Sequence, residues 1–131
     1  MKVDVIRNYS VQNFGAKLVM PKNEEVCKLA NEACAEHLEI ARPTLERIAN
    51  VTKDLELIKV TPSLKKDTKY SQIQLDVLTK KGTSLTKIVD ELQISKETQF
   101  KRPLHKYIID TLIDTIGFAR MGDVIFKKFK K

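Results

Sequence analysis

The chain has 131 residues, a net charge of +7, two cysteines, few aromatic side chains and 42% apolar residues. This length fits one domain or two very small domains that share a core, and the composition excludes a disordered tail. Because residues 1–10 lack the apolar core of a signal peptide and no apolar run could cross a bilayer, we expect a cytoplasmic protein that does not contact a membrane.

The positive charge is concentrated in the second half of the chain. Residues 1–60 contain nine Lys or Arg and nine Asp or Glu, whereas residues 61–131 contain fifteen basic and eight acidic residues. The second half therefore carries the whole net charge. Such asymmetry predicts a polyanionic partner, and a solvated, solubilising surface is the alternative interpretation.

Two predicted segments follow from the hydrophobic pattern of the first 80 residues. Residues 1–20 alternate in "KVDVI" and "AKLVM", which favours an extended or β segment. Residues 21–80 contain a helix that opens at Pro21, a short second helix, a turn at Ile40, and a helix over residues 43–55. Pro43 suits the first position of that last helix, where its missing N–H costs nothing.

A β-hairpin with a basic tip is predicted over residues 56–77. "ELIKVTP" and "YSQIQLDV" each alternate apolar and polar residues, and the polar segment "SLKKDTK" separates them. Two helices that meet at a tight turn, followed by a hairpin, have the order of a winged helix-turn-helix.

Residues 24–77 resemble the winged helix-turn-helix DNA-binding regulators of bacteria and archaea. Small or apolar residues fill the six positions that the motif requires: Cys34, Ala35, Leu38, Ile40, Leu45 and Ile48. The run from Asp67 to Gly82 is similar to the wing of MarR-type regulators, although its spacing is longer. Glu39 and Glu56 depart from the family pattern, which usually has glycine at these two places.

An internal repeat predicts a second unit of the same kind. "ARPTLERIANVTKDLELIKV" and "KRPLHKYIIDTLIDTIGFAR" share Arg-Pro, an amphipathic helix and an apolar exit at an offset of 60 residues. The fold class is thus mainly α with small β-hairpins (α+β), with two winged-helix units in tandem, similar to plasmid replication initiators. The second unit, residues 81–131, is degenerate, with a short wing at "MGD". The alternative is one winged helix, 22–80, followed by C-terminal dimerisation helices and a basic tail.

The candidate DNA-binding residues lie on the predicted recognition helix, the wing and the second unit. Arg, Asn and Thr on an exposed helix can read base edges in the major groove, and lysines on a wing can hold phosphates. The set comprises Arg42, Thr44, Arg47, Asn50, Lys65, Lys66, Lys69, Lys101, Arg102, Lys106, Arg120, Lys127 and Lys128.

No catalytic or metal chemistry is predicted. Cys34 and His37 share a helix face, but a zinc site needs four convergent ligands and no second ligand pair is evident. No nucleophile elbow or phosphate-binding glycine loop occurs. We therefore expect no enzyme activity, no metal and no cofactor.

The predicted function is sequence-specific binding of double-stranded DNA by a homodimer. Proteins with this function include transcription regulators and the replication or partition factors of phages and plasmids, and we expect the chain to be one of these. The alternative is a winged-helix interaction module, or a phage-type inhibitor, that binds a replication or transcription protein.

Overall fold

The computed structural model describes residues 15–96 and 103–129, in which a four-stranded sheet carries helices on one face. The predicted α+β fold class is confirmed. The elements in chain order are β1 (Lys17–Val19), α1 (Asn23–Leu29), α2 (Glu32–Val51), β2 (Leu55–Leu64), β3 (Ser71–Thr79), β4 (Ser84–Asp90), α3 (Glu91–Lys96) and α4 (Leu104–Phe129). Of the predicted N-terminal segment, residues 1–14 lie outside the described part, and residues 17–19 form β1.

The strands lie in the order β1-β2-β3-β4. β1 pairs parallel with β2, so the chain must cross over between them, and α1 and α2 form that crossover. β2, β3 and β4 are antiparallel. The predicted hairpin of residues 56–77 is confirmed as β2 and β3, joined by a tip at residues 65–70.

The hydrophobic core lies between the sheet and the two long helices. α2 packs over β1 and β2, and α4 packs over β3 and β4. Alternate residues of the strands point into this layer, as the period of a half-buried sheet requires. The largest aliphatic side chains with no exposed surface are Leu38, Leu45, Leu55, Ile58, Ile73, Leu75, Ile108 and Leu112. Each contributes about 1.5–3 kcal/mol by burial.

The predicted helix-turn-helix is wrong, because residues 32–51 form one continuous helix. The predicted recognition helix 43–55 is its second half, and it ends at Val51 rather than continuing to Leu55, which begins β2. Leu38, Ala41 and Leu45 are buried in an unbroken helical stripe, whereas Ile40, expected in the turn, is 50% exposed. Pro43 is accommodated inside the helix on its exposed side.

The predicted second winged-helix unit is also not observed. Residues 84–90, within the range predicted for this unit, form β4, and "MGD", expected as its wing, lies inside α4. The boundary placed between residues 80 and 81 falls in the turn between β3 and β4, and the core side chains of both halves form one cluster. The described residues therefore share one sheet and one core.

Asn31 separates α1 from α2. Its side chain accepts a hydrogen bond of 2.7 Å from the backbone N–H of Cys34 and so caps α2. Cys34 is buried, whereas Cys27 is exposed on α1. No helix within the described ranges is long and apolar enough to span a membrane.

Candidate nucleic-acid interface

The four side chains predicted to read bases do not share one face of α2. Arg42 donates a 2.7 Å hydrogen bond to the carbonyl of Pro21 and lies 3.0 Å from Glu39, so its guanidinium is turned back toward the protein. Thr44 is half-buried. It follows Arg42 by two positions, and side chains two positions apart on a helix point about 200° away from each other. Only Arg47 and Asn50 of this set are exposed.

The outward side of α2 is acidic rather than basic. Glu36, Glu39 and Glu46 are exposed along it, together with Glu32 in the first turn, and Arg47 is the one exposed base among them. A surface of this charge repels phosphates. The structure thus gives α2 no electrostatic advantage in a DNA groove.

The hairpin tip presents three lysines, but acids surround them. Lys65 forms an ion pair of 2.8 Å with Asp90, while Lys66 and Lys69 are exposed. Burial alone would raise the pKa of Asp90, but hydrogen bonds from Lys65, the backbone of Gln93 and Gln72 outweigh it and lower that pKa.

Further contacts fix the position of the tip. Asn31 donates 2.8 and 3.2 Å hydrogen bonds to the carbonyl of Lys69 and to Glu91, so the tip is held against the start of α2. With Asp67 in the tip, three lysines face three acids (Asp67, Asp90 and Glu91), so the local charge is 3 − 3 = 0.

A second set of basic residues converges at the opposite end of the sheet. The backbone N–H of Lys80, in the β3–β4 turn, donates a 2.9 Å hydrogen bond to the carbonyl of Asp54, in the α2–β2 loop. The carboxylate of Asp54 accepts two hydrogen bonds from Arg120 of α4, at 2.7 and 3.0 Å. These contacts join three segments that are distant in sequence.

The Asp54–Arg120 pair is ionised and partly exposed. The hydrogen bond from Arg120 lowers the pKa of Asp54, and the same bond raises the pKa of Arg120. Both side chains retain about half of their solvent exposure, so the pair adds less than about 1 kcal/mol to stability. Its main structural consequence is the position of a guanidinium beside two loops.

A buried carboxylate fixes the β3–β4 turn onto α4. Asp123 accepts hydrogen bonds from the hydroxyls of Thr79 and Thr83, at 2.7 and 2.6 Å. Gly122 permits this close approach, because a Cβ there would lie 2.6 Å from Cγ2 of Thr83. Gly82 closes the turn with a positive φ of 106°, a conformation that glycine adopts without strain.

We name this region the basic end and define it by Lys53, Lys80, Lys81 and Arg120. All four are exposed, and the acids Asp54 and Asp123 lie among them, so the local charge is 4 − 2 = +2. α4 continues past Asp123 to Phe129, which places positions 127 and 128 in its last turn at the same end of the molecule. The basic end is therefore more positive than the hairpin tip.

Of the predicted site residues whose side chains the structure describes, Arg120 alone lies at the basic end. Lys65, Lys66 and Lys69 are at the opposite end, and Lys106 is exposed near the start of α4. Lys101 and Arg102 lie outside the described residues, as do the side chains of Lys127 and Lys128. The sequence did not predict three residues of the basic end: Lys53, Lys80 and Lys81. Lys80 and Lys81 are adjacent in the sequence, but only tertiary contacts bring them beside Arg120.

The two histidines join α2 to α4 away from the basic end. Nδ1 of His37 lies 3.1 Å from Nδ1 of His105, and the rings stack with centroids 5.4 Å apart. Burial, followed by the charges of His37 and Lys106, lowers the pKa of His105. Burial raises the pKa of the neighbouring Cys34 thiol on α2 to about 11. No group of three or more metal-ligating side chains occurs within residues 15–96 and 103–129.

No protein-family model, no curated protein and no solved structure matches this chain.

Proposed function

We propose that the chain binds the phosphate backbone of double-stranded DNA through the basic end. The observation that carries this proposal is the convergence of Lys53, Lys80, Lys81 and Arg120 through the Lys80–Asp54 and Arg120–Asp54 hydrogen bonds. A local excess of exposed cations on adjoining loops is the footprint that backbone binding requires.

The dimensions of the basic end suit a duplex. Neighbouring strands lie about 4.8 Å apart, so β2, β3 and β4 span roughly 10 Å at the edge where the loops emerge. The major groove is about 12 Å wide between its phosphate walls. Lysines on the two loops can thus contact phosphates on either side of one groove.

The distribution of charge gives the molecule a preferred orientation. Exposed glutamates cover the outward side of α2, whereas the basic end carries a local charge of +2. A polyanion attracts the basic end and repels the acidic side of α2. The protein approaches DNA with its loop end, and no helix enters a groove.

Binding of this kind is independent of base sequence. The cations of the basic end are lysines and one arginine that already donates two hydrogen bonds to Asp54. Phosphate contacts position a protein on DNA but carry no sequence information. We therefore replace the expectation of sequence-specific binding with a proposal of backbone binding.

Fluorescence anisotropy with a random duplex, measured over a range of salt concentrations, tests the proposal. Replacement of Lys53, Lys80 and Lys81 by alanine should weaken binding at least about tenfold at physiological salt and lower the salt slope by roughly 2.7, about 0.9 for each lost contact. The matched control replaces Lys28, Lys66 and Lys69, which are also exposed. It changes the net charge equally and should alter affinity less than about threefold.

Three outcomes would overturn the proposal. The first is no binding by the wild-type protein even at low salt. The second is an equal loss of affinity in both triple variants, which would indicate general charge attraction. The third is a larger loss in the control, which would place the contact at the hairpin tip.

A further inference from the structure

Large apolar side chains cover the solvent side of α4 from its middle toward its end. Their exposed fractions lie between 51% and 67%, and they are Ile113, Phe118, Met121, Val124 and Ile125, named here the apolar stripe. The opposite side of the same helix is buried in the core through Ile108, Leu112 and Ile116. α4 therefore exposes large apolar side chains on the side opposite the core, and the exposed Asp114 is the acid among them.

We propose that the apolar stripe is the interface of a homodimer in which the α4 helices of two copies pack antiparallel. In a two-fold interface each copy contributes the same surface, so the stripe must match itself. The midpoint between Ile113 and Ile125 is position 119. Antiparallel packing about this point places Ile113 opposite Ile125 of the second copy and Gly117 opposite Met121, so that the stripe is covered along its whole length.

Gly117 supports close approach of a second helix. Glycine inside a helix is less favourable than alanine, so it needs a reason. A Cβ at Gly117 would meet no atom within 4 Å, so nothing in the described chain requires glycine there. Gly122 differs, because it makes room for Thr83. In the antiparallel dimer Gly117 forms the hole that receives the Met121 side chain of the second copy.

Charge along α4 favours the antiparallel direction. Asp110 and Asp114 precede the midpoint, whereas Lys127 and Lys128 follow it. Antiparallel helices place the acidic half of one copy beside the basic half of the other, and parallel helices would place like charges together. A second copy of this chain thus complements the stripe in charge as well as in apolar character.

The area is sufficient for a dimer. A fully exposed large side chain presents about 200 Å², so five half-exposed ones present roughly 500 Å² per copy. Two copies together would bury about 1,000 Å², the lower limit of a specific interface. A single patch of this size lies in the upper range of what monomeric proteins expose.

This inference does not depend on the proposed DNA binding. None of the stripe residues belongs to the basic end, so either proposal can fail while the other stands. The first test is the mass of the full chain by sedimentation equilibrium at about 100 µM, a concentration that populates weak dimers. We expect twice the 15.0 kDa of one chain for the wild type.

Met121→Lys should convert the dimer into a monomer, because it places a charge at the centre of the stripe. The matched control is Ile88→Lys, at an apolar residue of β4 with a similar exposed fraction, and it should leave the dimer unchanged. Far-UV circular dichroism and a thermal melt establish that both variants are folded. Gly117→Leu should weaken dimerisation at least about tenfold by filling the hole.

Disulfide cross-linking tests the direction of the helices. In a Cys27→Ser background, which removes the exposed thiol, a mixture of Ile113→Cys and Ile125→Cys chains should cross-link between the two variants. Chains of either variant alone should not form a cross-linked dimer. Cross-linking of Ile113→Cys chains to each other would overturn the antiparallel arrangement.

A monomeric wild type at about 100 µM would overturn the proposed dimer. A dimer that is dissociated by Ile88→Lys but not by Met121→Lys would overturn the proposed interface. A monomer that binds phosphatidylglycerol vesicles and loses this binding in Met121→Lys would assign the stripe to a lipid surface instead.

Discussion

The hydroxyl of Thr79 donates a 2.7 Å hydrogen bond to Oδ1 of Asp123, across 44 residues of sequence. Both side chains are buried, and Asp123 is only 7% exposed. The same oxygen accepts a second bond from Thr83, and the hydroxyl of Thr79 also accepts from the backbone N–H of Thr83. One carboxylate therefore fixes the β3–β4 turn, and with it Lys80 and Lys81, to α4.

Asp123→Ala should destabilise the protein by about 2–4 kcal/mol, because it leaves two threonine hydroxyls without their acceptor. Asp123→Asn retains an acceptor oxygen and should cost roughly half as much. Urea denaturation at one fixed protein concentration measures both. The control, Asp114→Ala, removes an exposed acid of the same helix and should change stability by less than about 0.5 kcal/mol. Equal effects of the substitutions at positions 123 and 114 would contradict the anchoring role.

Pro43 distinguishes one continuous α2 from two helices joined by a turn. Inside a helix a proline cannot donate to the carbonyl four residues earlier, here that of Glu39, and costs about 3 kcal/mol relative to alanine. Pro43→Ala should therefore stabilise the protein by roughly 2 kcal/mol, after allowance for the greater freedom of the unfolded chain. Thermal and urea unfolding measure this gain.

Pro103 is the matched control. It stands immediately before α4, and its carbonyl accepts from the backbone N–H of Lys106 at 3.0 Å, as at a normal helix start. Pro103→Ala should change stability by less than about 1 kcal/mol. If Pro43→Ala gave no gain, position 43 would lie at a helix start, as a helix-turn-helix requires.

The sequence identified β2 and β3 correctly because their alternation is regular and their turn is polar. The sequence predicted a helix-turn-helix instead of the single helix α2, because two apolar stripes fit the same residues, one through Ile40 and one through Ala41. Alanine is a weak hydrophobic signal, and the choice between the stripes was decided by packing on β1 and β2. Intrinsic patterns cannot resolve such a choice, because it depends on the surface that the helix meets.

The basic end could not be predicted from local patterns. Its cations come from positions 53, 80, 81 and 120, and only the pairing of β3 with β4 and the packing of α4 bring them together. β4 was missed for a related reason. Its alternation is weakened by Lys87, which lies on the helix-covered face over the ring of Phe118.

The His37–His105 contact predicts a loss of stability as the pH falls below about 6.5. The pKa of His105 is lowered from 6.5 in the folded protein by burial and by its neighbours, so the unfolded chain binds more protons below that pH. Stability should be unaffected above about pH 6.5 and fall as pH decreases toward the folded pKa. The pKa values of Asp54 and Asp90 are lowered from 3.8, so these acids do not titrate in this window.

His105→Asn should flatten this dependence, as measured by urea unfolding at several pH values. His37→Asn should flatten it too, because it removes the neighbouring charge that opposes protonation of His105. The chain contains no other histidine, so the window isolates this pair. A variant at position 105 with the pH profile of the wild type would show that the contact does not oppose protonation.

Asp54 is the partly exposed acid of the basic end, whereas Asp123 is buried, and removal of Asp54 should strengthen DNA binding. Its carboxylate holds the guanidinium of Arg120 at 2.7 and 3.0 Å, while its backbone carbonyl accepts from Lys80 independently of the side chain. Asp54→Ala would therefore release Arg120 and raise the local charge from +2 to 4 − 1 = +3 without detaching the loop.

We expect the dissociation constant for random duplex to fall by about two- to fivefold and the salt slope to grow by up to roughly 0.9, one additional phosphate contact. Stability should decrease by less than about 1 kcal/mol, because the pair is half exposed. Glu46→Ala removes the same charge from the outward side of α2 and is the matched control. An equal gain in both variants would mean that overall charge, rather than the basic end, governs binding, since only Asp54 lies among the proposed contacts.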